Sequence, residues 1–374
     1  LVPVEVSSPE QLVQVEGAKG EQCSQSKNSI PRSLDSADAT PFEEMVAVRN
    51  AVETQILGGD VLSHSAVELL PGFRNVYKPR RLFVAGVGGR MVGRAVVSWL
   101  ASVNSPVSSV NVEVLRRHRG RGIGTALLDR MERIARESGR ATVQSHVEHS
   151  ALTGGSVISP PTRFGQLSLD DDPGVRFLAN RGYVLEQIKR ISFLGLPMDA
   201  ARLNELVQTA QRAADPVYAL VEWTGATPNR WLTDVAWLKT RMSTDNPTAG
   251  LDSVEDPWDE ARLLQRDRDQ QASGRSLFTV AVEHLPSGRV AGFSELSLPD
   301  VGRAARQEDT LVLSEHRGLR LGMLLKAANF RQLGARADLI YTFNAEENRP
   351  MLAVNEAVGF RPAGFGGGWR KVLI

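Results

Sequence analysis

The chain has 374 residues, 42% apolar and 23% charged, which is too long for one ordinary core and has the balance of a folded soluble protein rather than a disordered one. Its 44 basic and 43 acidic side chains leave a formal charge of +1, so no global field exists to hold a nucleic acid, although a local basic patch is still possible. Cys23 is the single cysteine, which excludes an intrachain disulfide and a thiolate metal cluster, and no run of 18 apolar residues or basic leader followed by an apolar segment appears.

The expectation is therefore a cytoplasmic protein with no membrane, nucleic-acid or metal partner. Cys23 itself sits in a polar stretch without catalytic company and reads as an ordinary thiol. Helices around residues 42 to 75 come first. Arg81 to Ala85 reads as a strand, Gly86 to Gly89 as a turn, and Val92 to Ser98 as the returning strand. An extended segment, Val110 to Leu115, leads into a loop rich in glycine and arginine, Arg117 to Gly124. The helix that follows, Ile123 to Glu137, carries Ile123, Leu127, Leu128, Met131, Ile134 and Ala135 on one side. Ala141 to Val147 is the next strand, and Ile188 to Leu196 closes the first unit before a connecting helix at Asp199 to Ala214.

The same order then repeats. After a strand at Pro216 to Trp223 and helices around 228 to 272, Leu277 to Val282 and Val290 to Leu298 form a hairpin. Thr310 to Leu313 is the extended segment, His316 to Gly322 the loop, Leu321 to Leu333 the helix and Asp338 to Phe343 the next strand. Gly93 and Gly292 are 199 positions apart, and Gly124 and Gly322 are 198 apart. An offset that steady over hairpin, strand and loop indicates an internal duplication. The expected units are residues 1–195 and 196–374. Between them, Pro247 to Pro257 forms an acidic polar loop, either a solvated connection or a lid, and the tryptophans at 223, 231, 237 and 258 either pack or line a pocket.

The loop Arg119-Gly120-Arg121-Gly122-Ile123-Gly124 joins an apolar strand to a helix. Glycines there let backbone N–H groups turn toward one point, the helix start adds partial positive charge, and Arg117, Arg119 and Arg121 neutralise more, so the place suits a pyrophosphate. A dinucleotide-binding reading would need this loop at the start of a βαβ unit with an acid about twenty residues on. Here a hairpin precedes the loop and the next strand ends Ser145-His146-Val147. A mononucleotide loop fails for want of Gly-Lys-Ser or Gly-Lys-Thr.

Val112 to Gly124, with its helix, resembles the central motif of the GNAT acetyltransferase superfamily, whose arginine-x-x-glycine-x-glycine pattern holds the pyrophosphate of acetyl-CoA. The resemblance places that pattern on Arg119, Gly122 and Gly124. In the second copy Arg317 and Gly322 fit, with Gly318 in the same loop, while Arg320 stands at the first required glycine. The resemblance implies an α/β fold of two tandem GNAT-like domains, each a twisted mixed sheet flanked by helices, and the tandem layout is similar to mycothiol synthase and other actinobacterial double-domain acetyltransferases. It further implies an acetyl-CoA-dependent transfer to a primary amine of a small molecule or peptide by direct attack in a ternary complex, in a monomer or homodimer. A non-catalytic acyl-CoA-binding or regulatory protein is the alternative.

The family's substrate-side segment begins with asparagine, carries tyrosine seven residues on, and continues to glycine-phenylalanine. The second copy gives Asn348, Asn355 and Gly359-Phe360. The first gives Asp171, Leu178 and Gly182-Tyr183. In many relatives that tyrosine protonates the departing thiolate, and neither copy can do so in that way. The resemblance places the backbone N–H that meets the acetyl carbonyl near Val312, or near Val112 and Val114 in the first copy. Candidate proton acceptors are Glu295, Glu308 and Asp309, with Glu113 in the first copy; Asn348 and Asn355 are candidates for the amide-rich pantetheine arm, Asn355 close to the thiolate. His118 and His316 recur beside the loop arginines and read as loop supports.

Overall fold

The computed structural model describes residues 13–16, 22–27, 30–150, 157–158, 169–170 and 173–373. The first half runs β1 (Val13–Glu16), β2 (Gln22–Lys27), α1 (Thr40–Leu57), α2 (Ala66–Phe73), β3 (Arg80–Val87), β4 (Arg90–Ser98), β5 (Val107–Val114), α3 (Ile123–Glu137), β6 (Thr142–Ser150), a small hairpin of β7 (Val157–Ile158) and β8 (Leu169–Asp170), α4 (Pro173–Asn180) and β9 (Val184–Gly195). After α5 (Ala200–Ala213) the second half runs β10 (Tyr218–Thr224), α6 (Leu232–Asp245), α7 (Glu260–Ala272), β11 (Arg275–His284), β12 (Arg289–Pro299), β13 (Ala304–Val312), α8 (Leu321–Leu333), β14 (Leu339–Ala345), α9 (Arg349–Val358) and β15 (Arg361–Val372).

Local chemistry accounts for the boundaries. Ser65 and Glu68 form a reciprocal capping box that starts α2, and Asp199 accepts the Arg202 N–H to start α5. The β3–β4 turn is tighter than expected: Gly86 and Val87 still pair with Met91 and Arg90. Only Gly88 (φ 57°) and Gly89 (φ 74°) are left to turn, the left-handed pair that a two-residue hairpin requires.

Among the described residues thirteen strands form one sheet in the order β1-β2-β3-β4-β5-β6-β15-β9-β14-β13-β12-β11-β10. Its centre is an exchange. β15, the last strand of the second half, lies against β6 of the first, and β9, the last strand of the first half, lies against β14 of the second; the two pair antiparallel with each other. The cores interlock accordingly: Trp369 of β15 is buried with Val143, Leu127 and Tyr183 in the first half, and Leu194 of β9 with Phe330 and Ile340 in the second.

Beside this centre each half opens a cleft. β5 is hydrogen-bonded to β6 only over residues 107–109, and β13 to β14 only over 304–306. Beyond those short parallel contacts the strands splay. The stretch 247–257 is neither a free connection nor an open lid, because Gln187 donates to the Pro247 carbonyl (2.9 Å), Gln144 to that of Asp252 (2.9 Å), and Arg370 pairs with Asp252 (2.7 Å). Leu251 packs on Gly368, where an added Cβ would meet it at 2.9 Å.

Candidate active site

The two loops are built alike. Each follows a short 3-10 turn, Arg116–His118 or Ser314–His316, and each begins with an arginine folded back on its own strand: Arg119 Nε donates to the Val114 carbonyl (2.8 Å) and Arg317 Nε to that of Val312 (2.9 Å). Gly122 caps α3 at φ 83°, and Arg320 caps α8 in the same left-handed region at φ 55°. Arg320 thus reproduces the glycine's backbone and carries an exposed guanidinium at the helix start. Arg117, His118 and Arg121 border a 250 Å³ cleft with Arg90, Val87 and Val92. His118 accepts from Arg117 (3.0 Å) and His316 meets the Tyr218 hydroxyl (2.7 Å), contacts that support the loops. At the hairpins, a Cβ on Gly292 would strike the Leu311 carbonyl at 2.6 Å, so the strands approach too closely there for any side chain.

The halves differ inside the splay. On the α8 side of the second cleft, Gln307 Nε2 donates to Ser294 Oγ (3.1 Å) and to the Glu295 carbonyl (2.7 Å), Ser294 Oγ meets Thr310 Oγ1 (3.1 Å), Asn329 Nδ2 donates to the Ser294 carbonyl (2.8 Å), and Asn355 Nδ2 donates to Asn344 Oδ1 (2.7 Å). Three carbonyl oxygens in this group, Gln307 Oε1, Asn329 Oδ1 and Asn355 Oδ1, are buried with no hydrogen-bond partner among the described residues. Strand and helix register places Val110, Ala95, Val112, Met131, Leu178 and Val147 at the positions of Gln307, Ser294, Thr310, Asn329, Asn355 and Asn344. All six first-half residues belong to or pack on one apolar core. Phe177 adds to it, 3.6 Å from where a Cβ on Gly124 would sit, whereas nothing lies within 4 Å of the equivalent position on Gly322. Asp171, expected opposite Asn348, lies outside the described residues.

A β-bulge distinguishes the second half as well. Ser294 faces Thr310 and Leu296 faces Gln307, so Glu308 and Asp309 together stand opposite Glu295; the first-half ladder runs through Ala95–Val112, Val96–Asn111 and Val97–Val110 without interruption. The bulge brings Asp309 to Lys239 of α6 and Glu308 to Ser297 of β12. Glu295 is wholly buried and pairs with Lys239 and with Arg266 (2.6 Å), which also holds Asp267 (3.0 Å). Lys239 bridges on to Asp309 (2.7 Å), and Glu308 accepts from Ser297 (2.6 Å) and pairs with Arg306 (3.3 Å). Burial opposes charge on Glu308 and Asp309, yet Arg306 with Ser297, and Lys239, outweigh it and hold both carboxyls below the usual range. Asp309 is the more exposed at 36%, against 20% for Glu308.

The predicted residues therefore separate by place. Glu308, Asp309 and Glu295 gather on the α6 and α7 side of the bulge; Arg317, Gly318, Arg320 and Gly322 form the loop; Asn355 is inside the splay; Asn348 caps α9, its Oδ1 accepting from Met351 N–H (3.3 Å). Val312 pairs in the ladder with Gly292, just past the bulge. In the first half Glu113 bonds Arg94 (2.6 Å) beside Val112 and Val114. Gln307, Asn329, Thr310, Ser294 and Lys239 carry no motif; for the first four the signal was a polar residue in one repeat against an apolar one in the other. Of the tryptophans, Trp231 is buried in the α6 and α7 core with Trp223 and Trp258 packed on it, and Trp237 is 50% exposed. Among the described residues no cluster of His, Cys, Asp and Glu is placed to hold a metal ion, and no helix is long and apolar enough to cross a membrane.

Residues 59–152 match the acetyltransferase (GNAT) family model. No curated protein sequence matches the chain. Among solved structures it is similar to a tandem GNAT protein from the clavulanic acid biosynthesis pathway, at 23% identity and a TM-score of 0.70 over 94% of this chain and 98% of that one. It is also similar to a GCN5-related N-acetyltransferase from Sphaerobacter thermophilus, at 14% identity and a TM-score of 0.55 over 89% of this chain and 93% of that one. A third likeness is to a fungal β-N-acetylglucosaminidase carrying a GCN5-related glucosamine N-acetyltransferase region, at 13% identity and a TM-score of 0.57 over 94% of this chain and 38% of that one. The fold is the tandem GNAT fold, two α/β domains with twisted mixed sheets flanked by helices.

Proposed function

We propose that the second half is an acetyl-CoA-dependent N-acetyltransferase centre acting on a primary amine of a small molecule or peptide, and that the first half is its structural partner. The observation that carries this reading is the exchange of six apolar core residues for Gln307, Ser294, Thr310, Asn329, Asn355 and Asn344 inside the second splay. Three of those side chains bury unpartnered oxygens, a state that costs about 1–3 kcal/mol each unless a ligand satisfies them. Pantetheine supplies two amide N–H donors and a hydroxyl, so the residues present fit it.

In this reading the loop at Arg317 to Gly322 takes the pyrophosphate, with the Arg320 guanidinium adding charge. The bulge before Thr310 leaves a backbone N–H outside the ladder, suited to polarise the acetyl carbonyl. The acceptor enters from the α6 and α7 side. Asp309, held charged by Lys239, orients its ammonium and orders water that removes the proton; Glu308 lines the same entry. Glu295, with two cations against it, fixes Lys239 and Arg266. Attack by the nitrogen then follows from holding donor and amine together. In this reading the division of labour, with the second half catalytic, is similar to that of mycothiol-synthase-type tandem enzymes.

Calorimetric titration of the full chain with acetyl-CoA, followed by turnover over a panel of primary amines, tests it. One tight site per chain, lost in Gln307→Leu and retained in Val110→Gln, is the expected result. Tight binding without turnover on any amine would favour the non-catalytic acyl-CoA-binding reading, for which the asparagine at 355 is the specific observation; no binding would refute both.

A further inference from the structure

Resting on that assignment, we propose that Lys326 is the proton donor to the departing thiolate, in the role left vacant where Asn355 replaces tyrosine. Gly322, Lys326 and Asn329 are spaced by four and three residues on α8, so they share one face. Asn329 reaches the Ser294 carbonyl at 2.8 Å, which puts that face on the splay, with the phosphate loop at one end and the polar group at the other. Lys326 Nζ lies 5.8 Å from the centre of the Phe360 ring, and the Phe360 N–H bonds to the Asn355 carbonyl (3.0 Å). The ammonium is thus seated between α8 and the end of α9 that carries Asn355.

Lys326 is 1% exposed and has no hydrogen bond or ion pair among the described residues. The charged groups of the elements around it point away. Arg202 and Glu205 on α5, Glu356 on α9 and Arg331 on its own helix are exposed, and Glu295 is engaged with Lys239 on the other face of the sheet. An unpaired buried ammonium costs several kcal/mol, and a cation over Phe360 at that distance returns about 1 kcal/mol. The fold does not need it: the same position in α3 is Leu128, equally buried. Burial alone draws the proton affinity of Lys326 down to about 7, so that it gives up a proton readily near neutrality.

In the step assigned to it, the acceptor nitrogen forms a bond to the acetyl carbon and the carbon–sulfur bond breaks with its electron pair on sulfur. Nζ transfers one proton to that sulfur and becomes neutral. The proton shed by the new amide nitrogen leaves to solvent, and Lys326 takes one back from solvent after coenzyme A departs.

Lys326→Met tests this because methionine fills the site without charge, and Lys326→Arg keeps the charge but holds its proton at all relevant pH. The expected result is a fall in kcat of about 100-fold or more in both variants, with acetyl-CoA affinity of the Met variant unchanged by calorimetry and its thermal stability equal or higher. Wild-type kcat declines on the alkaline side of neutrality as the donor loses its proton, and Lys326→Met shows no such limb. A Met variant that turns over at the wild-type rate, or keeps the alkaline limb, overturns the role of Lys326 and leaves the transferase assignment standing. A wild-type chain with no turnover on any amine overturns the transferase assignment, and the role of Lys326 with it.

Discussion

Replacing Asn355 by leucine, the residue at the matching first-half position, separates binding from folding at one site. Asn355 is 2% exposed; its Nδ2 bonds Asn344 Oδ1 at 2.7 Å and its Oδ1 is buried unpartnered. Leucine removes one neutral hydrogen bond, a loss of about 1 kcal/mol, and relieves an unsatisfied oxygen, a gain of about 1–3 kcal/mol. Burying the added apolar surface contributes about 1 kcal/mol more. Asn344 Oδ1 keeps a second donor in Thr342 Oγ1 at 3.2 Å, which limits the collateral cost. The ligand-free variant is therefore expected to gain about 1–3 kcal/mol, a rise in Tm of about 1–4 °C for a chain of this length that unfolds as one unit. Acetyl-CoA affinity falls at the same time, by about tenfold for one lost hydrogen bond to the pantetheine arm. Thermal unfolding without ligand and a calorimetric titration measure the two effects. A variant that is less stable and binds acetyl-CoA unchanged would refute the reasoning, because Asn355 would then be a structural residue.

Three further outcomes follow from other parts of the molecule. Trp369→Ala removes an indole of the second half from the core of the first and is expected to destabilise by about 3–5 kcal/mol, with both halves melting in one calorimetric transition; two separate transitions would contradict the interlocked cores. Arg320→Gly relieves a non-glycine residue at φ 55° and is expected to raise stability by about 1 kcal/mol, while weakening acetyl-CoA in a salt-dependent way that Arg320→Ala shares. Burial and then Glu148 push the carboxyl of Glu53 up to about 7, above its unfolded value, so the native state resists its ionisation. Stability is then lost as pH rises from about 4.5 through 7. Glu53→Gln is accordingly expected to be more stable than wild type at pH 8 and equal to it at pH 5, as read by urea unfolding at the two pH values.

The duplication, the strand and helix order and both loops rich in glycine and arginine were legible in the sequence because each is a local device. Apolar residues at helical spacing define α3, paired glycines close the β3–β4 turn, and a glycine-rich strand-to-helix junction marks each loop. Arg320 shows where local reading stops: a bulky residue stands in a glycine position, and the chain adopts the left-handed conformation regardless because strand and helix fix both ends of the loop.

What only the tertiary structure decided is how non-local partners meet. The final strand of each half crosses to the other because the splayed sheet leaves an unpaired edge that the partner's strand satisfies, and strand pairing between residues as far apart as Leu339 and Gly195 or Val372 and Thr142 leaves no periodic trace in either segment. The bulge at Glu308 and Asp309 is likewise set by the register with β12. The polar interior of the second cleft draws Gln307 from β13, Asn329 from α8 and Asn355 from α9. Each alone looks like an ordinary surface amide, and only folding buries them together with oxygens left to satisfy.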